Sequence, residues 1–320
     1  MKVMVYGAGV IGAYLTHILC SAGNDVSVLA RGLRKTELEQ NGLVIRHYLQ
    51  KKTTIDRPRI VEQIDPEEHF DAVFAVMQYQ QLWAILDDLA SCSSPLVILV
   101  GNNMSATEME RYIQEKSSTS KTVVFGFQAT GGRRENDATI CVHKGTGKLI
   151  CGHLHSEPDE ATKTALTKLF TGTNYKTDFI TDMDAWYKNH LAFILPAAYV
   201  CYSTDCDLTR ASKEQRRQIM SATLEGYCLL EALGYPIIPI DSKAYFEKGF
   251  KKWFMSAIIF IMAKTSLGKL AASDHCRNAV TEMQALNDAF CTLREQKPDF
   301  SMPTWRKLEK HMPQSSPNVN

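Results

Sequence analysis

The first thirty-one residues constrain this chain more than any other stretch. Lys2 to Tyr6 predicts a short apolar strand, Gly7-Ala8-Gly9-Val10-Ile11-Gly12 follows at once, and Ala13 to Ala22 predicts a helix. Val26 to Leu29 predicts a second strand, with Arg31 just past its end. G-x-G-x-x-G set between a strand and a helix is the fingerprint of a dinucleotide site. The first glycine permits the tight turn. The second lets the backbone approach a pyrophosphate, and the third lets helix and strand pack closely. The helix N-terminus then offers free N–H groups and the positive end of a dipole to the anion.

The corner after the second strand indicates which dinucleotide. NAD sites usually place Asp or Glu there to accept from the ribose 2′-OH. Here the corner reads Leu29-Ala30-Arg31-Gly32, with Arg34 and Lys35 close behind and no carboxylate. A guanidinium suits a 2′-phosphate through a bidentate, charge-assisted contact. The cofactor expected is NADP(H).

Beyond this opening the first half alternates short β-branched runs with helical patterns. Strands are predicted over 2–6, 25–29, 72–77, 96–100 and 122–125, with helices such as 82–90, 106–115 and 157–171 between or after them. Such alternation argues a parallel sheet covered on both faces. Residues 139–143 and 148–151 flank Lys144-Gly145-Thr146-Gly147, a turn signal, and predict a hairpin near the sheet edge. After about Asp178 strand patterns nearly vanish, and 184–202, 213–233, 242–264 and 279–294 predict long helices. The fold class expected is α/β. It comprises a Rossmann-type parallel-sheet domain over 1–178, followed by an all-helical substrate and dimerisation domain over 179–320. A substrate is expected in the cleft between two such domains.

Bulk properties narrow the partners. A formal net charge of +1 gives no general attraction to nucleic acid or acidic membranes. The apolar run from Trp253 to Met262 is too short to span a bilayer and predicts a buried helix. The chain opens on a strand without a signal-peptide layout, so a cytoplasmic location is expected. Nine cysteines lack zinc spacing and suit reduced, buried thiols. His153 and His155 alternate on an expected strand, as a metal pair or, more simply, as two exposed side chains. Several helices of the second half are apolar on more than one face, so a homodimer is one expectation and burial within the chain the other.

Two segments of the helical half could carry chemistry. Asp184-Ala185-Trp186-Tyr187-Lys188-Asn189-His190 opens its first helix, and Leu191 to Val200 after it is nearly all apolar. Lys188 shares a face with Ala192 and Pro196. It is either a solvated lysine or a desolvated one able to protonate a developing alkoxide. His190 reads as a hydrogen-bonded packing residue. Asp274 and Glu282 fall in the second segment. Glu282 is either an exposed helix charge or an acceptor for a substrate or ribose hydroxyl.

Taken together these motifs resemble the ketopantoate reductase (2-dehydropantoate 2-reductase) family. Gly7, Gly9, Gly12 and Arg31 match its opening, and Asn102 in Val100-Gly101-Asn102-Asn103-Met104 matches the Asn of its Q-N-G turn. Trp186-Tyr187-Lys188 matches its W-x-K segment, and Asp274, Thr281 and Glu282 match its D…T-E segment. The resemblance implies an NADPH-dependent reductase of a 2-oxo acid or related small ketone. It makes Lys188 the general acid, Glu282 the residue orienting a hydroxyl, and Asn102 a contact to the nicotinamide side and to substrate. It places Gln78 at the cofactor, and Ala192 and Asp274 at the substrate. Gln78 replaces the family's Lys, Ala192 and Pro196 replace two Asn, and Leu270 and Ala271 replace Ser and Met, so the substrate pocket is expected to be altered and more apolar. The alternative is a non-catalytic NADP(H)-binding or sensing protein that kept the fold.

Overall fold

The computed structural model describes residues 1–135 and 137–314, with nothing said of the side chains of Leu267 and Ala271. The chain divides into two compact units, Met1–Met183 and Asp184–Asn320.

The strands of the first unit are β1 (Lys2–Tyr6), β2 (Asp25–Leu29), β3 (Leu43–His47), β4 (Lys52–Asp56), β5 (Arg59–Val61), β6 (Ala72–Val76), β7 (Leu96–Val100), β8 (Thr122–Gln128), β9 (Gly131–Arg134), β10 (Thr139–Val142), β11 (Lys148–Gly152) and β12 (Lys176–Phe179). Its helices are α1 (Val10–Ser21), α2 (Gly32–Asn41), α3 (Leu86–Ser91), α4 (Ala106–Lys116) and α5 (Glu160–Leu169). Eight strands form one sheet in the order β12-β11-β8-β7-β6-β1-β2-β5. From β5 to β8 neighbouring strands are parallel, and β11 joins β8 antiparallel. Central strands such as Ala72–Val76 and Leu96–Val100 are buried at every residue. Continuous apolar runs of this kind are what a parallel sheet covered on both faces requires. The order reverses at β1, with β2 on one side and β6 on the other, and ligands of doubly wound sheets bind at such a switch point.

A second sheet, β4-β3-β10-β9, corrects the hairpin expected across Lys144–Gly147. The Gly147 N–H does close a turn onto the Lys144 carbonyl at 2.9 Å. Yet β10 pairs with β3 and β9 while β11 pairs with β8 and β12, so the turn carries the chain from one sheet to the other. The antiparallel partner of β10 is Gly131-Gly132-Arg133-Arg134, which has no apolar alternation to mark it as a strand. The small sheet packs on α1, which therefore contacts strands of both sheets and buries every residue from Gly12 to Leu19. His153 and His155 follow the end of β11 rather than lying on a strand, and the His153 ring meets the Val123 carbonyl at 3.0 Å. The expected helix over 82–90 is a 3-10 segment, Tyr79–Ile85, leading into α3.

The second unit is helical: α6 (Met183–Tyr202), α7 (Lys213–Ala232), α8 (Ala244–Glu247), α9 (Gly249–Lys264), α10 (Ser266–Gly268), α11 (Asp274–Asn278), α12 (Val280–Glu295) and α13 (Pro303–Glu309). Ser212 and Gln215 form a reciprocal capping box at the start of α7. Trp305 docks α13, stacking on Phe290 at 4.5 Å and meeting the Tyr199 ring edge-on at 5.7 Å. It is wholly buried, and truncating such a side chain to Ala costs about 3–5 kcal/mol.

Two expectations for this half are corrected. The helix over 242–264 is broken, because Lys248 is extended and Gly249 takes φ +77°, so α8 and α9 are separate. The Trp253–Met262 run is not buried. The fold covers Ile259 and Ala263 but leaves Trp253 at 64%, Phe250 at 75% and Phe260 at 51% exposure. The helix is apolar around its circumference while the unit covers only one side of it. Among the described residues no helix is long and apolar enough to cross a membrane. Residues 315–320, the end of the domain drawn from the sequence, lie outside the described residues.

Candidate active site

One group of candidate residues lies at the carboxyl ends of β1, β6 and β7 of the first unit. Gly7 has φ +118°, and a Cβ there would come within 2.2 Å of the Val76 carbonyl oxygen. A Cβ on Gly12 would lie 1.9 Å from the Gly7 oxygen, so α1 and β1 can touch only without one. A Cβ on Gly9 would meet nothing within 4 Å. No side chain caps α1 at Gly9, and its first turn carries no acidic residue. The three glycines thus split into two that make the turn and one that faces open space at a helix N-terminus, the arrangement an anion of the pyrophosphate type fits.

Asn102 follows β7 and is 6% exposed, and its Oδ1 has no hydrogen-bond partner among the described residues. A buried acceptor left unpaired costs about 1–3 kcal/mol, which a ligand donor would offset. The adjacent Asn103 is structural. Its Oδ1 accepts from the Ser105 N–H at 2.9 Å, and its Nδ2 points at Met109 Sδ at 3.3 Å. Gln78 is half-buried just before the 3-10 segment and accepts from Gln80 Nε2 at 2.8 Å.

Arg31 stands exposed at the N-cap of α2. Its Nε donates to the Glu62 carbonyl at 2.8 Å, and its Nη2 to the Tyr6 hydroxyl at 3.0 Å. That hydroxyl donates in turn to Asp88 Oδ2 at 2.9 Å, and burial, with Asp88, pushes its pKa up. Among the described residues Arg31 makes no ion pair with a carboxylate. Its neighbours do: Arg34 pairs with Glu37 at 3.2 Å and Lys35 with Glu62 at 3.2 Å. Arg34 also donates to the Ala8 carbonyl at 3.1 Å, bracing the glycine turn from α2. That bracing role is invisible in the sequence, where Arg34 is one more cation near the corner.

A second group of candidate residues belongs to the helical unit. Lys188, in the second turn of α6, has 8% of its side chain exposed and forms a buried ion pair with Asp184 one turn earlier. Its ammonium also lies 4.7 Å from the centre of the Tyr235 ring. The solvated reading of Lys188 is therefore corrected, because its part of α6 is buried, with Asp184, Trp186, Tyr187 and Asn189 around it in sequence all buried as well. Tyr235, which follows the Gly234 stop after α7, is a partner that sequence reasoning missed. His190 stacks on Trp186 at 4.9 Å, and burial pulls its pKa down to about 4. Ala192 is wholly buried where α6 meets α7, against Gly226.

Glu282, in the first turn of α12, is only 4% exposed, which corrects the exposed-charge reading. His275 Nε2 stands 3.7 Å from its Oε2. Asp274 opens α11, is buried, and lies 3.7 Å from Arg277 Nη1. This segment is tied to α6 by the Tyr202 hydroxyl, which donates to the Cys276 carbonyl at 3.1 Å. Leu270 is buried just upstream, and the side chain of Ala271 lies outside the described residues.

The family described as ketopantoate reductase PanE/ApbA matches residues 3–156. Over that stretch, just under half of its length, the chain is similar to the ketopantoate reductase family. An oxidoreductase of Bacillus subtilis (strain 168), described as the uncharacterized oxidoreductase YkpB, is 32% identical over 89 residues, which is 28% of this chain and 28% of that protein. The match thus spans well under a third of that curated relative. Among solved structures, D-mandelate dehydrogenase with NADH and anilino(oxo)acetate superposes with a TM-score of 0.70 at 16% identity, covering 98% of this chain and 97% of the other. The 2-dehydropantoate 2-reductase of Methylococcus capsulatus gives 0.69 at 14% identity, covering 98% and 96%. At these identities the likeness is one of fold, and it extends through the helical unit that the family model does not reach.

Proposed function

We propose that this ketopantoate reductase relative is an NADPH-dependent reductase of a 2-oxo acid or a related small ketone. The observation that carries the reading is the buried Lys188 ammonium, held by Asp184 at the opening of an apolar helix. A cation is expensive to bury and is retained where it has work to do. Bound NADPH supplies the hydride for such a reduction. Gly7, Gly9 and Gly12 would hold its pyrophosphate, Arg31 its 2′-phosphate, and Gln78 and Asn102 its nicotinamide half. Lys188 would donate a proton from Nζ to the oxygen of the carbonyl as negative charge develops there, and its positive charge would stabilise that oxygen beforehand. Glu282 would accept from a hydroxyl of substrate or cofactor, and Asp274 would help shape the substrate side, with Ala192 filling the helix packing behind it.

Two structural neighbours frame the test. One carries NADH and a 2-oxo acid derivative, and the other is a 2-dehydropantoate reductase. Purified protein assayed with NADPH and NADH in parallel against a panel of 2-oxo acids, ketopantoate included, should consume NADPH faster than NADH. Tight NADPH binding with no turnover on any member would support the alternative, a non-catalytic NADP(H)-binding or sensing protein.

The exposed face of α9 supports a homodimer through the second unit. Phe250, Trp253 and Phe260 form a run of large apolar side chains that water would otherwise cover, and such patches mark association surfaces. Nine unpaired thiols fit a reducing cytoplasmic setting, and the near-neutral charge supports a small-molecule partner rather than nucleic acid or membrane.

A further inference from the structure

α6 ends in a two-bond capping motif. The Cys206 N–H donates to the Cys201 carbonyl at 2.9 Å, and the Asp205 N–H to the Tyr202 carbonyl at 3.2 Å. Asp205 and Cys206 both take φ of 55°. This is the Schellman arrangement, in which the C″ residue folds back against the residue at C3. Those two positions are normally an apolar pair, and here both are cysteines. The Cys201 thiol is wholly buried, and its hydrogen-bonding neighbours are Cys276, Ser273 and Cys206. Cys206 is half-buried and is the member of the pair that solvent reaches. Arg277 Nη2 donates to the Cys206 carbonyl at 3.1 Å, which brings a guanidinium to the rim of the cluster. The hydrogen bond from Cys276, with smaller help from Ser273, Cys206 and the Arg277 charge, pulls the Cys201 thiol below its ordinary range. Thiolate character beside a reachable second sulfur is what makes a dithiol oxidisable.

We propose that Cys201 and Cys206 form a peroxide-oxidisable dithiol, a modification site built into the C-terminal cap of α6. A hydroperoxide enters at Cys206. One sulfur of the pair, as thiolate, takes an oxygen atom as the O–O bond breaks, giving a sulfenic acid and releasing hydroxide (an alkoxide from an organic peroxide). The second thiol displaces the sulfenic oxygen, which leaves as water with the thiol proton. Two thiols are oxidised to one disulfide, and one peroxide is reduced, to two waters in the case of hydrogen peroxide. The product removes the sulfur acceptor toward which Ser273 and Cys276 now turn, and those residues flank Asp274. Oxidation would therefore be felt by the segment that carries Asp274 and Glu282. A reductant of the dithiol class reverses the step by thiol–disulfide exchange.

The probe is hydrogen peroxide, applied to the reduced full-length protein, followed by alkylation and tryptic digestion. Cleavage after Lys188 and Arg210 releases peptide 189–210, which carries both cysteines. The expected product is this peptide unalkylated and lighter by a pair of hydrogens. It should form at least ten times faster than the remaining thiols are modified, and dithiothreitol should restore it. The Cys206→Ser protein, altered at the half-buried position, should melt as the parent does and give no such species. A peptide 189–210 that stays fully alkylated, one cross-linked to the Cys276 peptide, or one oxidised no faster than the other thiols overturns the proposal.

Discussion

Asp184 and Lys188 oppose each other one turn apart at the start of α6, carboxylate against ammonium, both nearly closed off from water. The i, i+4 spacing puts them on one face, and the Tyr235 ring lies 4.7 Å from the ammonium. Removing one partner strands the other charge in a place that cannot solvate it. Asp184→Ala should destabilise the second unit by about 3 kcal/mol or more, read as a fall in the urea midpoint at unchanged m-value. Lys188→Ala should keep NADPH affinity while turnover falls by roughly 10² to 10⁴, the usual contribution of a positioned proton donor. Unaltered turnover in that variant would remove Lys188 from the chemistry.

Arg31 and its neighbours differ in what their charges already do. Arg34 and Lys35 are satisfied by carboxylates, whereas Arg31 is steadied by Tyr6 and a carbonyl. Arg31→Ala should weaken NADPH binding by about tenfold to a hundredfold, the equivalent of one or two charged hydrogen bonds, and leave NADH nearly unaffected. Fluorescence titration with both cofactors measures the ratio. Equal losses for the two would mean that Arg31 does not read the 2′-phosphate.

The glycine turn separates folding from binding. Gly9→Ala adds a methyl group to open space, so its melting temperature should match the parent while dinucleotide affinity drops. Gly12→Ala drives a methyl group into the Gly7 carbonyl, and overpacking of that kind costs about 1–3 kcal/mol. Calorimetry and cofactor titration on both variants check the contrast.

Acid should loosen the first unit through a buried histidine pair. His47 Nδ1 meets His143 Nε2 at 2.9 Å, and the His143 ring stacks on Tyr14 of α1 at 4.3 Å. His17, itself paired with Asp56 at 2.8 Å, and Lys52 face the same cluster. Burial pulls the His47 pKa down to about 4, with His17, His143 and Lys52 adding to the effect, and burial lowers His143 as well. A neutral histidine favoured by the fold stabilises it fully above the ordinary value near 6.5, and that stabilisation is lost as pH falls from about 6.5 towards 4. Stability should then fall by up to about 1.4 kcal/mol per pH unit for each histidine that must charge on unfolding. His47→Gln should flatten that slope, as denaturant titrations between pH 7 and pH 4 would show.

The α9 face yields a solution test. Trp253→Glu should leave the melting temperature near that of the parent monomer and shift sedimentation towards a smaller species. A parent chain that sediments as a monomer at micromolar concentration would remove the dimer from the proposal.

What the sequence disclosed follows the strength of each local pattern. The first strand, turn and helix were legible because three independent requirements fall on Gly7, Gly9 and Gly12. The central strands were legible because burial on both faces demands unbroken apolar runs. The small sheet was not, because β9 is glycine and arginine and β4 is mostly polar, and its two local pairs are joined only by the β3–β10 contact between segments remote in sequence. The exposure of Trp253 escaped notice since an apolar helix looks the same whether neighbours cover it or not. Lys188 and Glu282 were picked out by their segments and by the family resemblance those segments carry, while the ring beside the Lys188 ammonium, Tyr235, comes from 47 residues further along the chain and declares itself only in three dimensions.

The walling-in of α1 by strands of two sheets has a thermodynamic corollary. A helix with no free side cannot tilt or unwind to greet a guest, so the shape of the cradle at its tip is settled when the polypeptide folds. Association there should then be limited by shedding hydration rather than by rearranging backbone.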